Sequence, residues 1–469
     1  MSTLIRFWVW LLLIAATPAV AQVTYERLLN AEKEPGNWMT YSGNYSGWRY
    51  SPLKEINRDN AHRLRLRWVH QMRNSQVETT PLVVDGVMYL TEPRYDVVAL
   101  AAKTGDVIWE VEVANYKEGY AKTGAPLVVK DMIVTGIAGG EYGIRGFLDA
   151  YDAETGERRW RFYTIPEPGE PGNESWAGDS WKTGGAPTWV TGSFDPELNL
   201  IIWGTGNPAP DWNGDKRAGD NLYADSAIAL DADTGKLRWA FQFVPHDVHD
   251  WDAVQVPILV DAEWDGQPRK LVYWAHRGGF YYVLDRTSGQ FLLGTPFAKQ
   301  TWAKGLDENG RPIRMPGIDP TDDGVIVWPS ALGATNWFSP SYSPETGLFY
   351  VAAWDGPGLY RKGDDDYEAG QSFTGGGQKS TLEDDPGSDA IRALNAKTGE
   401  LVWELALVSK PMNGFSRPAR SWSSPEAPKA ISTRSTVRPA KSYGAFYSEA
   451  RGSAGSAAAR RSTPRRSAT

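Results

Sequence analysis

Three side chains able to offer oxygen to a hard cation stand far apart along the chain: Glu141, Asn207 and Asp250. Glu141 follows Gly139 and Gly140, so a plain turn position competes with ligation; the same two glycines would let backbone approach a flat ligand closely. Asn207 stands in Gly204-Thr205-Gly206-Asn207-Pro208, where Asn before Pro also suits a turn. Asp250 lies in Pro245-His246-Asp247-Val248-His249-Asp250-Trp251-Asp252, the most polar knot in an apolar region. His246 and His249 offer imidazoles, but no third His and no Cys has comparable spacing, and both are read as structural.

The elements that must position these groups are announced by a repeat. An apolar pair, a small or acidic residue and x-Thr-Gly are followed by Trp four residues after the Gly, at Gly105/Trp109, Gly156/Trp160, Gly235/Trp239 and Gly399/Trp403. A related copy, Leu284-Asp285-Arg286-Thr287-Ser288-Gly289, lacks the Trp. Each copy predicts strand, hairpin turn, strand: the Asp or Asn caps the turn, Gly takes positive φ, and Trp packs between neighbouring sheets. Further strand pairs such as Pro81–Leu90 lie between copies, giving four strands per unit and a radial array. The fold class expected is therefore all-β, a β-propeller, in which donors from three different repeats could meet on the axis.

Composition agrees: 22 Trp, 21 Tyr and 48 Gly among 469 residues suit short strands, tight turns and flat packing side chains. A net charge of -8 argues against nucleic acid as a partner. Residues 1–21 carry one Arg, an apolar run from Phe7 to Ala16 and Ala19-Val20-Ala21, the pattern of a cleavable secretory signal; the run is too short to span a bilayer. Export to the periplasm, with no integral membrane segment after cleavage, is the expectation. The chain has no Cys, so no disulfide can report on the compartment.

Long phrases carry a more specific resemblance: GIAGGEYGIRGFLDAYD, GDSWKTGGAPTWVTGS, LIIWGTGNPAPDWNGD, FVPHDVHDWDA and GATNWFSPSYSP. Over roughly residues 35 to 412 the sequence resembles the pyrroloquinoline-quinone-dependent methanol and ethanol dehydrogenases. The resemblance implies an eight-bladed quinoprotein propeller, with the quinone cofactor over Ca2+ or a lanthanide ion, oxidising a small primary alcohol and passing electrons to a cytochrome c. It implies that Glu141, Asn207 and Asp250 hold the metal and that Asp250 is the general base removing the alcohol proton. Asp252 resembles the extra carboxylate of lanthanide-using members; a solvent-facing Asp on a strand edge is the alternative. Cofactor contacts carried over by motif are Glu78, Thr123, Gly139, Gly140, Trp189, Arg277 and Asn336. Trp189 would be the floor under the quinone, and Arg277 would bond a quinone oxygen and stabilise charge growing there, unless it merely forms an exposed ion pair.

Two departures from the family pattern stand out. Its adjacent Cys-Cys pair is absent, and the first repeat runs from Leu100 straight into Ala101 as though a blade had been excised between two copies. Beyond Phe415 the chain turns basic, with eleven Lys or Arg, two Glu and no Leu. Such a segment cannot bury enough apolar surface to become ordered. Taking the third base of each codon with the first two of the next, Lys429 to Ser448 permits GNFYALDGAAGEILWRFLLG, another copy of the repeat, so a frameshift near Gly414 is inferred. The expected organisation is signal peptide 1–21, an incomplete propeller of about six to seven blades over 22–414, and a disordered tail 415–469. A non-catalytic propeller scaffold for protein partners and an inactive, damaged gene product are the alternatives to an enzyme.

Overall fold

The computed structural model describes residues 23–41, 43, 53–57, 59–72, 79–92 and 96–407. The signal segment 1–21, Glu78 and the tail 415–469 lie outside the described residues. One unit of the chain holds all the sheets. A second unit is described only between Glu55 and Arg65, where a 3-10 turn, Ala61–Arg63, follows an Asn60 side chain that accepts from the Asn57 amide.

Of five four-stranded antiparallel sheets, four run in serial order, as hairpin after hairpin must, and in the fifth two strands of a separate sheet intervene between its second and third strands. The first is Leu82–Val84, Val87–Glu92, Asp96–Ala101 and Val107–Glu112. The second is Leu127–Val129, Met132–Thr135, Phe147–Asp152 and Arg158–Tyr163. The third is Ser193–Asp195, Leu200–Gly204, Ser226–Asp231 and Leu237–Gln242. The fourth is Ile258–Trp264, Gln267–Ala275, Phe280–Asp285 and Phe291–Pro296. The fifth is Ser341–Ser343, Leu348–Asp355, Ser388–Asn395 and Leu401–Leu407. A two-stranded and a three-stranded sheet add to these. At the point where an excised blade is inferred, Asp96–Ala101 and Val107–Glu112 pair as ordinary neighbours of one sheet.

Burial explains the sequence pattern. The third strands, Asp96–Ala101, Phe147–Asp152, Ser226–Asp231 and Phe280–Asp285, are buried along nearly their whole length, because sheets cover both of their faces. The outer strands are mostly open to water, and in Val107–Glu112, Arg158–Tyr163 and Leu237–Gln242 only Trp109, Trp160 and Trp239 are buried.

Those indoles join one sheet to the next. Trp68 donates its Nε1–H to the Ala102 carbonyl (3.2 Å), Trp109 to Ala153 (3.0 Å), Trp160 to Ala232 (3.0 Å) and Trp239 to Arg286 (3.0 Å). In each case the repeat Gly lies flat on the ring. A Cβ at Gly105, Gly156, Gly235 or Gly289 would come 2.6 to 2.8 Å from the indole, and all four have positive φ. One residue type thus meets both demands. The turns are capped as the repeat predicts: Asp152 Oδ1 accepts from Glu154 and Thr155, Asp231 Oδ1 from Thr234, and Asn395 Oδ1 from Lys397.

Candidate functional site

Asp250 is fixed by a segment whose polar groups are nearly all committed. Asp247 is buried, its Oδ1 accepting from the His249 amide (3.0 Å) and its Oδ2 from the Trp251 amide (2.9 Å). His249 donates Nε2–H to the Ile318 carbonyl (2.9 Å) and stacks on Trp251, whose own Nε1–H reaches the Ser330 carbonyl (3.1 Å). Burial pushes the His249 imidazole down to about 3, so it is neutral. His246 pairs through Nδ1 with the Gly219 carbonyl, 2.8 Å away. Both imidazoles are engaged by backbone. This clamp holds Asp250 at φ 61°, a left-handed conformation that costs a non-glycine residue energy and that the surrounding bonds over-determine.

Glu141 and Asn207 approach each other through glycine. Glu141 sits in the 3-10 turn Gly140–Tyr142, entered through Gly139 at φ 119°. A Cβ on Gly140 would fall 2.8 Å from Asn207 Oδ1, and one on Gly206 would fall 2.4 Å from Asp252 Oδ1; Pro187 flanks both. A Cβ on Gly139 would strike the Gly119 carbonyl. The close approaches these glycines permit in the structure are therefore to protein groups. The Asn207 amide donates to Asp252 Oδ1 (2.6 Å), while its buried Nδ2 has no hydrogen-bond partner.

Asp252 is not a solvent-facing residue on a strand edge. It is buried and accepts three bonds: from the Asn207 amide, from Trp189 Nε1 (3.0 Å) and from Arg277 Nη1 (2.5 Å). Arg277 is likewise buried rather than an exposed ion pair; its Nη2 lies 3.6 Å from Asp250 Oδ2 and donates to the Ala331 carbonyl. Thr123 joins the group through Trp189, its Oγ1 donating to the Trp189 carbonyl at 3.1 Å. Asn336 stands further along the segment that packs on Arg277, and its carboxamide bonds locally to the Leu332 carbonyl and the Trp337 amide. Thus Glu141, Asn207, Asp250, Asp252, Arg277, Trp189 and Thr123 belong to one connected neighbourhood.

The electrostatics are dominated by negative charge. Burial raises the Asp250 carboxyl well above its ordinary value; Arg277 opposes the shift, and Asp252 and Glu141 add to it. Glu141 is accessible to water yet crowded by protein, and its carboxyl is raised by desolvation and by Asp252. Asp211 was not foreseen from sequence. Both its carboxyl oxygens are buried without a partner, and desolvation, then Glu141 and Asp250, raise it. In PAPDW it reads as a turn residue, so nothing in the sequence separated it from a surface Asp. Among the described residues no three carboxylate, imidazole or thiol side chains are already gathered into a metal cage. An excess of buried oxygen donors and an unpartnered carboxamide nevertheless suit a hard cation in chemistry.

The comparisons decide the family. Residues 38–122 and 112–300 match the model of the glucose/ethanol/alcohol dehydrogenase β-propeller domain that carries the name PQQ. The quinoprotein alcohol dehydrogenase PedH of Pseudomonas putida is 37% identical over 83% of this chain and 78% of its own length. This chain belongs to the pyrroloquinoline-quinone-dependent alcohol dehydrogenases. A lanthanide-dependent methanol dehydrogenase of Methylacidiphilum fumariolicum is 33% identical over 81% of the chain and 75% of that protein. Among solved structures, a europium-containing methanol dehydrogenase superposes with a TM-score of 0.69 at 32% identity, covering 81% of this chain and 80% of that one. The quinohemoprotein alcohol dehydrogenase ADHIIG of Pseudomonas putida gives 0.70 at 33%, covering 84% and 70%. The quinoprotein alcohol dehydrogenases are oxidoreductases of the β-propeller class, and the four-stranded antiparallel sheets are this member's blades.

Proposed function

We propose that this quinoprotein oxidises a primary alcohol to the aldehyde, releasing two electrons and two protons, with Asp250 accepting the hydroxyl proton. Glu141, Asn207, Asp250 and Asp252 would hold Ca2+ or a lanthanide ion, and Glu78, Thr123, Gly139, Gly140, Trp189, Arg277 and Asn336 would frame the cofactor. Bound pyrroloquinoline quinone supplies a carbonyl that accepts two electrons, and the cation makes it more electrophilic. The chain's own residues do the rest. Asp250 is partly accessible, its backbone is fixed by the Asp247 clamp and its carboxylate lies within ion-pair reach of Arg277, so it stands ready to accept a proton from a hydroxyl bound beside it. Arg277 sits within ion-pair reach of both Asp250 and Asp252 and can stabilise negative charge beside them. The two electrons leave to a cytochrome c, after export of the chain to the periplasm.

What carries this reading is that Asp250 and Asp252 share one arginine, Asn207 from a distant stretch bonds Asp252, and Glu141 from another stretch lies near enough to raise the Asp250 carboxyl. Purified chain incubated with the quinone and either Ca2+ or La3+ should reduce an artificial electron-accepting dye when given ethanol. Asp250→Asn should retain the quinone, seen by its absorbance after gel filtration, while kcat falls by about 10² to 10⁴. Undiminished turnover in that variant would remove Asp250 from the chemistry. Quinone binding with no turnover under either metal would favour a scaffold or an inactive product.

A further inference from the structure

The indole series has one member out of step. Trp109, Trp160 and Trp239 are 8%, 8% and 7% exposed, each with its N–H on the turn of the following sheet. Trp403 holds the same place in Leu401–Leu407, four residues after the positive-φ Gly399, yet it is only half-buried. No carbonyl among the described residues accepts its N–H, and its ring contact is with Tyr350 of its own sheet. The other three show what this ring is shaped to meet: a carbonyl one residue after the turn's Asp, and a glycine four residues after that Asp.

The nucleotides encoding residues 415–469 can supply both. In the second reading frame, the middle and last bases of each codon are the first two bases of the next codon in the given frame, which the given residue largely fixes. A middle U specifies an apolar residue, so codons that begin with U become apolar. With UCN serine codons and suitable third bases, Ser435, Ser442, Tyr443, Phe446, Tyr447 and Ser448 can become Leu, Ile, Leu, Phe, Leu and Leu, and the Tyr443-Gly444 junction permits Trp. The result, YALDGAAGEILW, repeats the chain's own Ala393-Leu394-Asn395-Ala396-Lys397-Thr398-Gly399-Glu400-Leu401-Val402-Trp403 step for step. It has Asp at the cap, a carbonyl one residue later and Gly four residues later.

We propose that Trp403 is the docking residue for a further blade, encoded by the same nucleotides as residues 415–469 read in the second frame, and that its ALDGAAG turn is the occupant of this face. The indole N–H donates to the carbonyl after the Asp, and the second Gly of the turn lies on the ring. This inference is independent of the catalytic reading above.

The nucleotide sequence tests the first half directly. The second frame across codons 429–448 should read ALDGAAG followed by Trp at the Tyr443-Gly444 junction; Arg there, or a stop codon within the stretch, would overturn the proposal. Hydrogen exchange on the full-length chain as it stands tests the second half. Amides of 401–407 should exchange faster than those of 107–112, 158–163 and 237–242, and equal protection would show that the face is already covered. In a chain with the frame restored after Gly414, protection of 401–407 should rise to match the other three strands. There Trp403→Ala should lower the melting temperature by several degrees, against little change in the chain as it stands; equal losses in both backgrounds would sink the assignment.

Discussion

Buried charge does different work at different residues here. Asp252 ties Asn207, Trp189 and Arg277 together, so its carboxylate acts as a strut whether or not a cation is present. Asp252→Asn keeps the shape and removes the charge, leaving the buried Arg277 with Asp250, at longer range, as its nearest carboxylate. The loss should be about 3–5 kcal/mol of metal-free stability, as for other broken buried pairs, read from the urea midpoint. A loss under about 0.5 kcal/mol would mean the strut is dispensable. Lys122, beside Thr123, carries the opposite strain. Its ammonium is fully buried, bonded only to Thr135 Oγ1 (2.8 Å) and the Gly136 carbonyl (2.7 Å), and desolvation pushes it down to about 7. The unfolded chain then holds more protons than the folded one between about pH 7 and the ordinary value of 10.5, so this group makes stability rise with pH across that window and adds no slope below it. Lys122→Met should lack this component: the difference in melting temperature between parent and variant should move in the parent's favour as pH rises above about 7. Parallel profiles would mean the ammonium stays charged throughout.

At the level of the element, the repeat glycine and the preceding tryptophan form one unit. Gly235 and Gly86 both have positive φ, 67° and 85°, but a Cβ at Gly235 would sit 2.6 Å from the Trp160 ring whereas one at Gly86 would meet nothing within 4 Å. Gly86→Ala should therefore cost only the backbone strain, about 1 kcal/mol, and Gly235→Ala that plus roughly 1–3 kcal/mol of overpacking. Denaturant midpoints of the two variants measure the difference; equal losses would deny the ring contact its role. The blades were legible in the sequence because the repeats at Gly105, Gly156 and Gly235 carry both halves of this contact at a fixed spacing, a Gly that receives the preceding Trp and a Trp that meets the next Gly. The protein groups that Gly139 and Gly140 admit, the Gly119 carbonyl and Asn207 Oδ1, come from distant segments and left no local pattern to read. Asp252 was left between two fates for the same reason. Its three partners lie 25 to 63 residues away, beyond the reach of any local pattern. Asp211 was missed because burial, not spacing, distinguishes it.

For the molecule as a whole, the proposed donors come from consecutive blades. Glu141 lies between the second and third strands of the second sheet, Asn207 follows the second strand of the third sheet, and Asp250 and Asp252 stand between the third and fourth sheets. A cation held by all of them would link pieces of chain that otherwise meet through indoles and side-chain packing, and its binding energy would count toward folding. At about a hundredfold excess over its dissociation constant it would add ~2.7 kcal/mol. For a chain of this size that amounts to a rise in melting temperature of at most about 2–4 °C per kcal/mol. The rise on adding Ca2+ or La3+ to chelator-treated protein should shrink in Glu141→Gln and in Asn207→Ala as well as in Asp250→Asn, although the three residues belong to different segments. If only the Asp250 change abolished it, the ion would be bound by the 245–252 segment alone, and the cross-blade site would have to be given up.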